Sequence, residues 1–88
     1  MTPSLTPEQL LLIADEFCAT HRVQVRDFSA LVAAAAVPGA RIHGVAVHDD
    51  PAAAGEALAQ TVLRLEPLSG LNREFSEVCR SLYRRLSP

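Results

Sequence analysis

Helix-start signals divide this chain of 88 residues into short helical segments. Thr6 is followed by Pro7 and then by Gln9, an order that matches a capping box with proline at the first helical position. An Asp-Pro pair at positions 50–51 repeats the cap-then-proline order, and Asp27 is a good N-cap for another helix. Because each helix begins anew at its own cap, the chain must bury its apolar residues by packing short helices together.

Apolar residues recur at helical spacing in four segments, which predicts an all-α fold built as a small four-helix bundle. Helix one should end near Thr20 or His21. Pro38-Gly39 should stop helix two, and helix three should run from about residue 51 to residue 65. Gly55 within helix three is either a weak point or a site of close helix contact. The predicted core faces are Leu10, Ile13, Ala14 and Phe17; Phe28, Leu31, Val32 and Ala35; Ala54, Leu58, Thr61, Val62 and Leu65; and Leu71, Phe75, Val78, Cys79, Leu82 and Leu86.

Two segments between the helices have a different character. Residues 40–49 contain β-branched residues on both sides of Gly44, which predicts a small hairpin or flap, with a plain loop as the alternative. The alternating stretch at 23–25 predicts a short extended linker. Neither segment interrupts the helical pattern enough to suggest a second domain.

The composition excludes several classes of function. The net charge of −2 argues against a broad basic surface, so no direct nucleic-acid binding is expected. The chain has no run of about 18 apolar residues and no signal peptide, so we expect no membrane contact and a cytoplasmic location. Cys18 and Cys79 lack CxxC spacing and are expected to be reduced, mostly buried thiols rather than a disulfide.

The sequence gives little support to metal or thiol chemistry. His21, His43 and His48 lack the i, i+4 spacing of a zinc-binding helix, and no Cys or Asp cluster accompanies them, so no metal site is expected. Neither cysteine has an adjacent histidine that would lower its pKa. Both thiols are therefore interpreted as structural.

The turn between helices three and four is the strongest candidate for a functional site. It reads Glu66-Pro67-Leu68-Ser69-Gly70-Leu71-Asn72-Arg73-Glu74 and leads into a helix start. Backbone N–H groups at a helix start attract anions, so Asn72 and Arg73 are candidate ligands for an anion or a nucleotide phosphate. The carboxylates of Glu66 and Glu74 would oppose such a ligand.

This turn resembles the signature of the Fic/Doc family, whose small members include the death-on-curing toxins. That signature is His-Pro-Phe-x-(Asp/Glu)-Gly-Asn-(Lys/Arg)-Arg, and residues 66–74 align with it. Residues 5–10 are similar to the opening helix of Doc-like proteins, residues 25–38 to the second-helix region, and residues 42–44 to the flap. The resemblance implies that residues 1–88 form a single truncated Fic/Doc-like helical domain, since typical members continue with further helices.

Three positions of the signature are retained in this chain, and a fourth is conservatively replaced. Pro67, Asn72 and Arg73 match the family residues, and Leu68 conservatively replaces the phenylalanine. The resemblance implies that these residues shape the turn and the helix start of the motif.

The positions that carry chemistry in active relatives differ. Glu66 replaces the histidine that acts as the base when AMP or phosphate is transferred to a hydroxyl, and a carboxylate with a reference pKa of about 4.3 is a poorer base than an imidazole at about 6.5. Gly70 replaces the acidic residue expected to hold Mg²⁺, and Leu71 replaces the glycine. Glu74 replaces the final arginine, which would pair with phosphates.

Three interpretations follow from these replacements. In the first, the chain is a catalytically silent Fic/Doc-like domain, not an enzyme, which acts through protein–protein binding and has a toxin–antitoxin origin. The alternative is an active transferase with an altered site, moving AMP or phosphate from ATP with Mg²⁺ to a protein hydroxyl. The third is a helical bundle whose turn merely looks like the motif.

The truncation implied by the family resemblance bears on partners. Missing C-terminal helices would leave an apolar flank uncovered, and such patches mark partner surfaces. Leu5, the Ala-rich second helix, Leu82 and Leu86 are the expected contributors. We expect a homo-oligomer or a small protein partner such as an antitoxin.

Overall fold

The computed structural model describes residues 4–86, which form four helices and one small hairpin. In chain order the elements are α1 (Pro7–His21), α2 (Phe28–Ala35), β1 (Arg41–Ile42), β2 (Val45–Ala46), α3 (Pro51–Leu65) and α4 (Asn72–Leu86). The prediction of a small all-α fold with a hairpin near residues 40–49 is confirmed. The two ends of the expected domain, 1–3 and 87–88, lie outside the described residues.

The predicted caps start three of the helices. The Thr6 hydroxyl accepts the Gln9 backbone N–H at 3.0 Å, and the Gln9 side chain accepts the Thr6 N–H at 2.8 Å, which completes the capping box. Asp27 and Asp50 each accept the backbone N–H three residues ahead, at 3.2 and 2.7 Å. These local bonds satisfy donors that a helix cannot satisfy itself, so the starts of α1, α2 and α3 follow directly from the sequence.

The core lies where α3 and α4 pack along their length and α1 and α2 close over them. The rings of Phe17 and Phe75 lie 5.3 Å apart and connect α1 to α4. Gly55 is buried where α3 meets α4, so it lies at the predicted helix contact, although a Cβ there would meet its neighbours at ordinary distances of 3.5–3.6 Å. The core members are Leu5, Leu10, Ala14, Phe17, Leu31, Ala34, Ala35, Ala54, Leu58, Val62, Leu68, Phe75, Cys79 and Tyr83.

The predicted core face of α2 is partly wrong. Leu31 and Ala35 are buried as predicted, but Phe28 is 52% exposed and Val32 is 39% exposed. The small side chains at positions 30 and 34 are buried instead, because alanine lets the helix backbone approach its neighbours closely. The Ala-rich helix, like Leu5, therefore belongs to the core and does not form an uncovered flank.

The face of α4 is also rotated relative to the prediction. Its buried residues follow the row through Phe75, Cys79 and Tyr83, and Tyr83 was not predicted. Leu71 precedes the helix with a left-handed backbone (φ 58°) and is 39% exposed, while Leu86 is 58% exposed. Val78 and Leu82 are half-buried at the edge of the core. On α3 the predicted stripe holds except at its end, where Leu65 is 38% exposed.

The hairpin forms by antiparallel pairing of Arg41 with Ala46 and of Ile42 with Val45. Its two turn residues, His43 and Gly44, both have positive φ values, 53° and 81°, a combination that suits a tight two-residue hairpin turn. The isoleucine and the valine of the second pair are 63% and 69% exposed, so the hairpin presents apolar side chains outward. None of the helices within residues 4–86 has the length and apolar character needed to cross a membrane.

Candidate functional site

The turn between α3 and α4 is fixed by backbone hydrogen bonds to the segment that precedes α2. The Pro67 carbonyl accepts the N–H groups of both Arg26 and Asp27, at 2.7 and 3.0 Å. The Ser69 N–H donates to the Gln24 carbonyl at 2.7 Å, and the Gln24 N–H donates back to the Ser69 hydroxyl at 2.9 Å. The turn is therefore joined to the first half of the chain by several hydrogen bonds.

Sequence reasoning missed this connection. The alternation at 23–25 correctly indicated an extended segment, and Val25 forms an isolated antiparallel bridge with Leu68. The predicted linker is thus half of a two-segment contact with the motif-like turn. Val23 and Val25 were the available signal for an extended segment. The residues around them do not indicate that the segment pairs with Leu68, which is distant in the sequence.

Glu66 occupies the end of α3 in a left-handed conformation with φ 48°, and its N–H donates to the Val62 carbonyl. The Arg26 guanidinium donates to the Glu66 carbonyl at 2.7 Å, and its Nη2 lies 4.0 Å from the Glu66 carboxylate. Both side chains are more than half exposed, so the ion pair itself contributes little to stability. Its main effect is to place a cation beside the first motif position.

Asn72 fastens the turn from the other side. Its Oδ1 accepts the Leu68 N–H at 3.0 Å, and its Nδ2 donates to the Leu68 carbonyl at 3.1 Å. Both ends of the amide are therefore engaged with one backbone residue. Of the two predicted anion ligands, only Arg73 has an exposed side chain.

A shallow pocket of about 430 Å³ lies over this turn. Two arginines, Arg26 and Arg73, and two glutamates, Glu66 and Glu74, line it, so the charges of its side chains cancel. Gly70 and Asn72 also line it, whereas Pro67 is fully buried below. The structure thus brings the sequence-predicted residues together at the start of α4.

The thiols lie away from this pocket. Cys79 is buried in the core, and burial raises its pKa to about 12, which keeps the thiol protonated. Cys18 is half-buried, and its pKa is raised by burial and then by the nearby charge of Asp15. Both are free thiols, as predicted, and neither environment favours the thiolate that a nucleophile needs. Within residues 4–86 no three His, Cys, Asp or Glu side chains are grouped closely enough to hold a metal ion.

The pocket residues fit a Mg²⁺-bound nucleotide poorly. A nucleotide brings several negative charges to a pocket whose own charges cancel, and Gly70 supplies no carboxylate for the metal. The first backbone N–H groups of α4 and the Arg73 guanidinium are the groups suited to a small anion. The arrangement therefore favours a structural turn over a phosphate-transfer centre.

Comparisons with models of protein families, with curated proteins and with solved structures give no match to this chain.

Proposed function

We propose that this chain is a catalytically silent domain of Fic/Doc ancestry that acts by binding another protein chain. The observation that supports this most directly is the state of the first motif position. Glu66 replaces the base expected there, and its carbonyl accepts a hydrogen bond from Arg26 while its carboxylate lies beside the same guanidinium. A carboxylate, with a reference pKa of about 4.3, is a poorer base near neutral pH than the imidazole of the family motif, at about 6.5.

Retention of the turn without its chemistry supports the same proposal. Pro67 and Asn72, which match the family signature, hold the turn through backbone hydrogen bonds. The positions expected to supply the base, the metal ligand and the last phosphate cation are Glu66, Gly70 and Glu74. Evolutionary selection that preserved the shape of the turn but not its catalysis would keep the residues that hold the turn and replace those that carry the chemistry.

A binding role is supported by the apolar side chains that the fold leaves outside. Ile42 and Val45 on the hairpin, Leu12 on α1 and Leu86 on α4 are all more than half exposed. Ile42 and Val45 are paired neighbours in the hairpin, and adjacent exposed apolar side chains are typical of protein contacts. A toxin–antitoxin origin belongs to this proposal and would make a small antitoxin-like protein encoded next to this chain a natural partner.

Nucleotide titration tests the loss of catalysis. Isothermal titration calorimetry with ATP and Mg²⁺ should show no binding tighter than ~1 mM, which corresponds to a binding free energy of about −4 kcal/mol. Arg73→Ala should leave the trace unchanged. Tighter binding that Arg73→Ala abolishes would favour the alternative, an active transferase that moves AMP or phosphate to a protein hydroxyl.

Restoring the motif tests the ancestry. The triple variant Glu66→His, Gly70→Asp and Glu74→Arg should gain measurable affinity for ATP with Mg²⁺, because it returns the imidazole, the metal ligand and the cation. An added side chain fits at Gly70, where a Cβ would meet its nearest neighbour, Val23, at 3.7 Å. Glu74→Arg alone is the control for added positive charge. A folded triple variant with no more affinity than this control would remove the support for the family assignment.

A further inference from the structure

An open apolar groove runs between α1 and α4. Leu12 and Ile13 on α1 and Val78 and Leu82 on α4 form its sides, and Phe17 lies at its base. This part has a volume of about 440 Å³. Leu12 is 69% exposed at the side of this groove.

The groove continues along α4 past a row of three polar residues. Glu77, Ser81 and Arg85 line this second part, which shares Phe17, Val78 and other residues with the first. The three polar residues are spaced i, i+4 and i+8, so they share one face of the helix. The acidic Glu77 therefore lies one turn before the small Ser81, and the basic Arg85 lies one turn after it.

The charges of this row are complementary to those of the same row in a second copy that runs in the opposite direction. If a second α4 lies antiparallel with Ser81 on the two-fold axis, Glu77 of each copy faces Arg85 of the other. Two equivalent ion pairs then flank a centre where the small serine lets the helices approach closely. In the parallel arrangement like charges would face each other.

We propose that the groove between α1 and α4 is the contact surface of a two-fold symmetric dimer, in which the occupant is a second copy of this chain. Antiparallel α4 helices meet at Ser81, and Val78 and Leu82 of both copies are covered by the contact. Such an interface is isologous and closes at two subunits. The inference rests on the proposed function in one respect, since it names the partner of a domain that works by protein contact.

Charge reversal tests the antiparallel arrangement. Sedimentation velocity over a concentration series should show a monomer–dimer equilibrium for the unmodified chain. Glu77→Lys and Arg85→Glu should each raise the dimer Kd at least tenfold, because each places like charges opposite one another. The double variant should return the Kd to within threefold of the starting value.

Arg64→Glu on α3 is the matched control, since it reverses an exposed charge outside the groove and should leave the Kd unchanged. Leu12→Glu tests the apolar side of the groove at an exposed position, where the fold tolerates the change, and should also raise the Kd at least tenfold. Circular dichroism confirms folding of each variant. A chain that stays monomeric at ~1 mM, or a double variant no tighter than the single ones, overturns the proposal.

The two proposals fail in different ways. ATP binding by a chain that still dimerises would refute catalytic silence and leave the interface standing. A monomeric chain without nucleotide affinity would refute the interface and leave catalytic silence standing.

Discussion

Asn72 shows how a motif-like residue can serve the fold. Its side-chain amide forms hydrogen bonds with both the N–H and the carbonyl of Leu68, and Leu68 is almost fully buried. Removing the amide would leave two backbone groups without these partners in a place that water reaches poorly. Such unsatisfied groups cost more than the hydrogen bonds themselves contribute.

We therefore expect Asn72→Ala to lower the free energy of unfolding by about 2 kcal/mol. The measurement is urea denaturation followed by circular dichroism. Arg73→Ala, at the exposed neighbouring position, is the control and should change the same quantity by less than about 0.5 kcal/mol. Equal effects at the two positions would contradict the structural role assigned to the amide.

The sequence identified the residues of the candidate turn but not the residues that they contact. Pro67, Asn72 and Arg73 were identified from the sequence because the motif is local. The contact of Arg26 with Glu66 joins residues 40 apart, and the pattern around either residue does not reveal it. The charge balance of the pocket depends on this contact, so the sequence alone showed only part of the electrostatics.

At the scale of elements, Gly55 lies where α3 packs against α4, and the room around it limits which side chains that contact can hold. A Cβ at this position would lie 3.5 Å from the Tyr83 ring and 3.6 Å from the Arg80 carbonyl, which are ordinary van der Waals distances. Glycine inside a helix costs about 0.5–1 kcal/mol relative to alanine. The site thus has room for a methyl group, with little room for anything larger.

Gly55→Ala should raise the free energy of unfolding by about 0.5–1 kcal/mol, since it removes the glycine penalty and fits the contact. Gly55→Leu should lower it by about 1–3 kcal/mol through overpacking against Tyr83. Thermal denaturation of the two variants beside the unmodified chain provides the measurement. If Gly55→Ala instead lowered the free energy of unfolding, α3 and α4 would be packed too tightly to accept a methyl group.

The elements also show which features a sequence can predict. The starts of α1, α2 and α3 were correct because a cap acts within three residues of itself. The faces of α2 and α4 were partly wrong because burial depends on what packs against the helix. On α2 the small alanines are buried in place of Phe28 and Val32, a choice set by the distance to neighbouring helices.

For the whole molecule, the buried Cys79 thiol causes the free energy of unfolding to fall as the pH rises into the alkaline range. Its pKa is raised from an ordinary value of 9.0 to about 12 by burial. Between these values the unfolded chain loses the proton while the folded chain keeps it, so the free energy of unfolding falls as pH rises. Burial raises the pKa of Tyr83 as well, which adds a fall in the same direction above pH 10.0.

We expect stability to be nearly constant up to about pH 9 and then to fall by about 1.4 kcal/mol per pH unit through the Cys79 thiol. Cys79→Ala should be less stable at neutral pH because it leaves a cavity, but its stability should fall less steeply between pH 9 and pH 10. Denaturant titrations at a series of pH values measure both slopes. Identical slopes would exclude the thiol as a source of the pH dependence.

The contact between residues 24–27 and the α3–α4 turn has a consequence for the order of folding. The helices α3 and α4 are joined by a short turn, so they can pair early through local contacts. Bringing Arg26 to Glu66 closes a loop of 40 residues, and the entropy of that closure delays it. We therefore expect a partly folded chain to form the helix pair before the pocket, whose two arginines, Arg26 and Arg73, come from both halves. The surface above the turn exists only in a molecule that has finished folding.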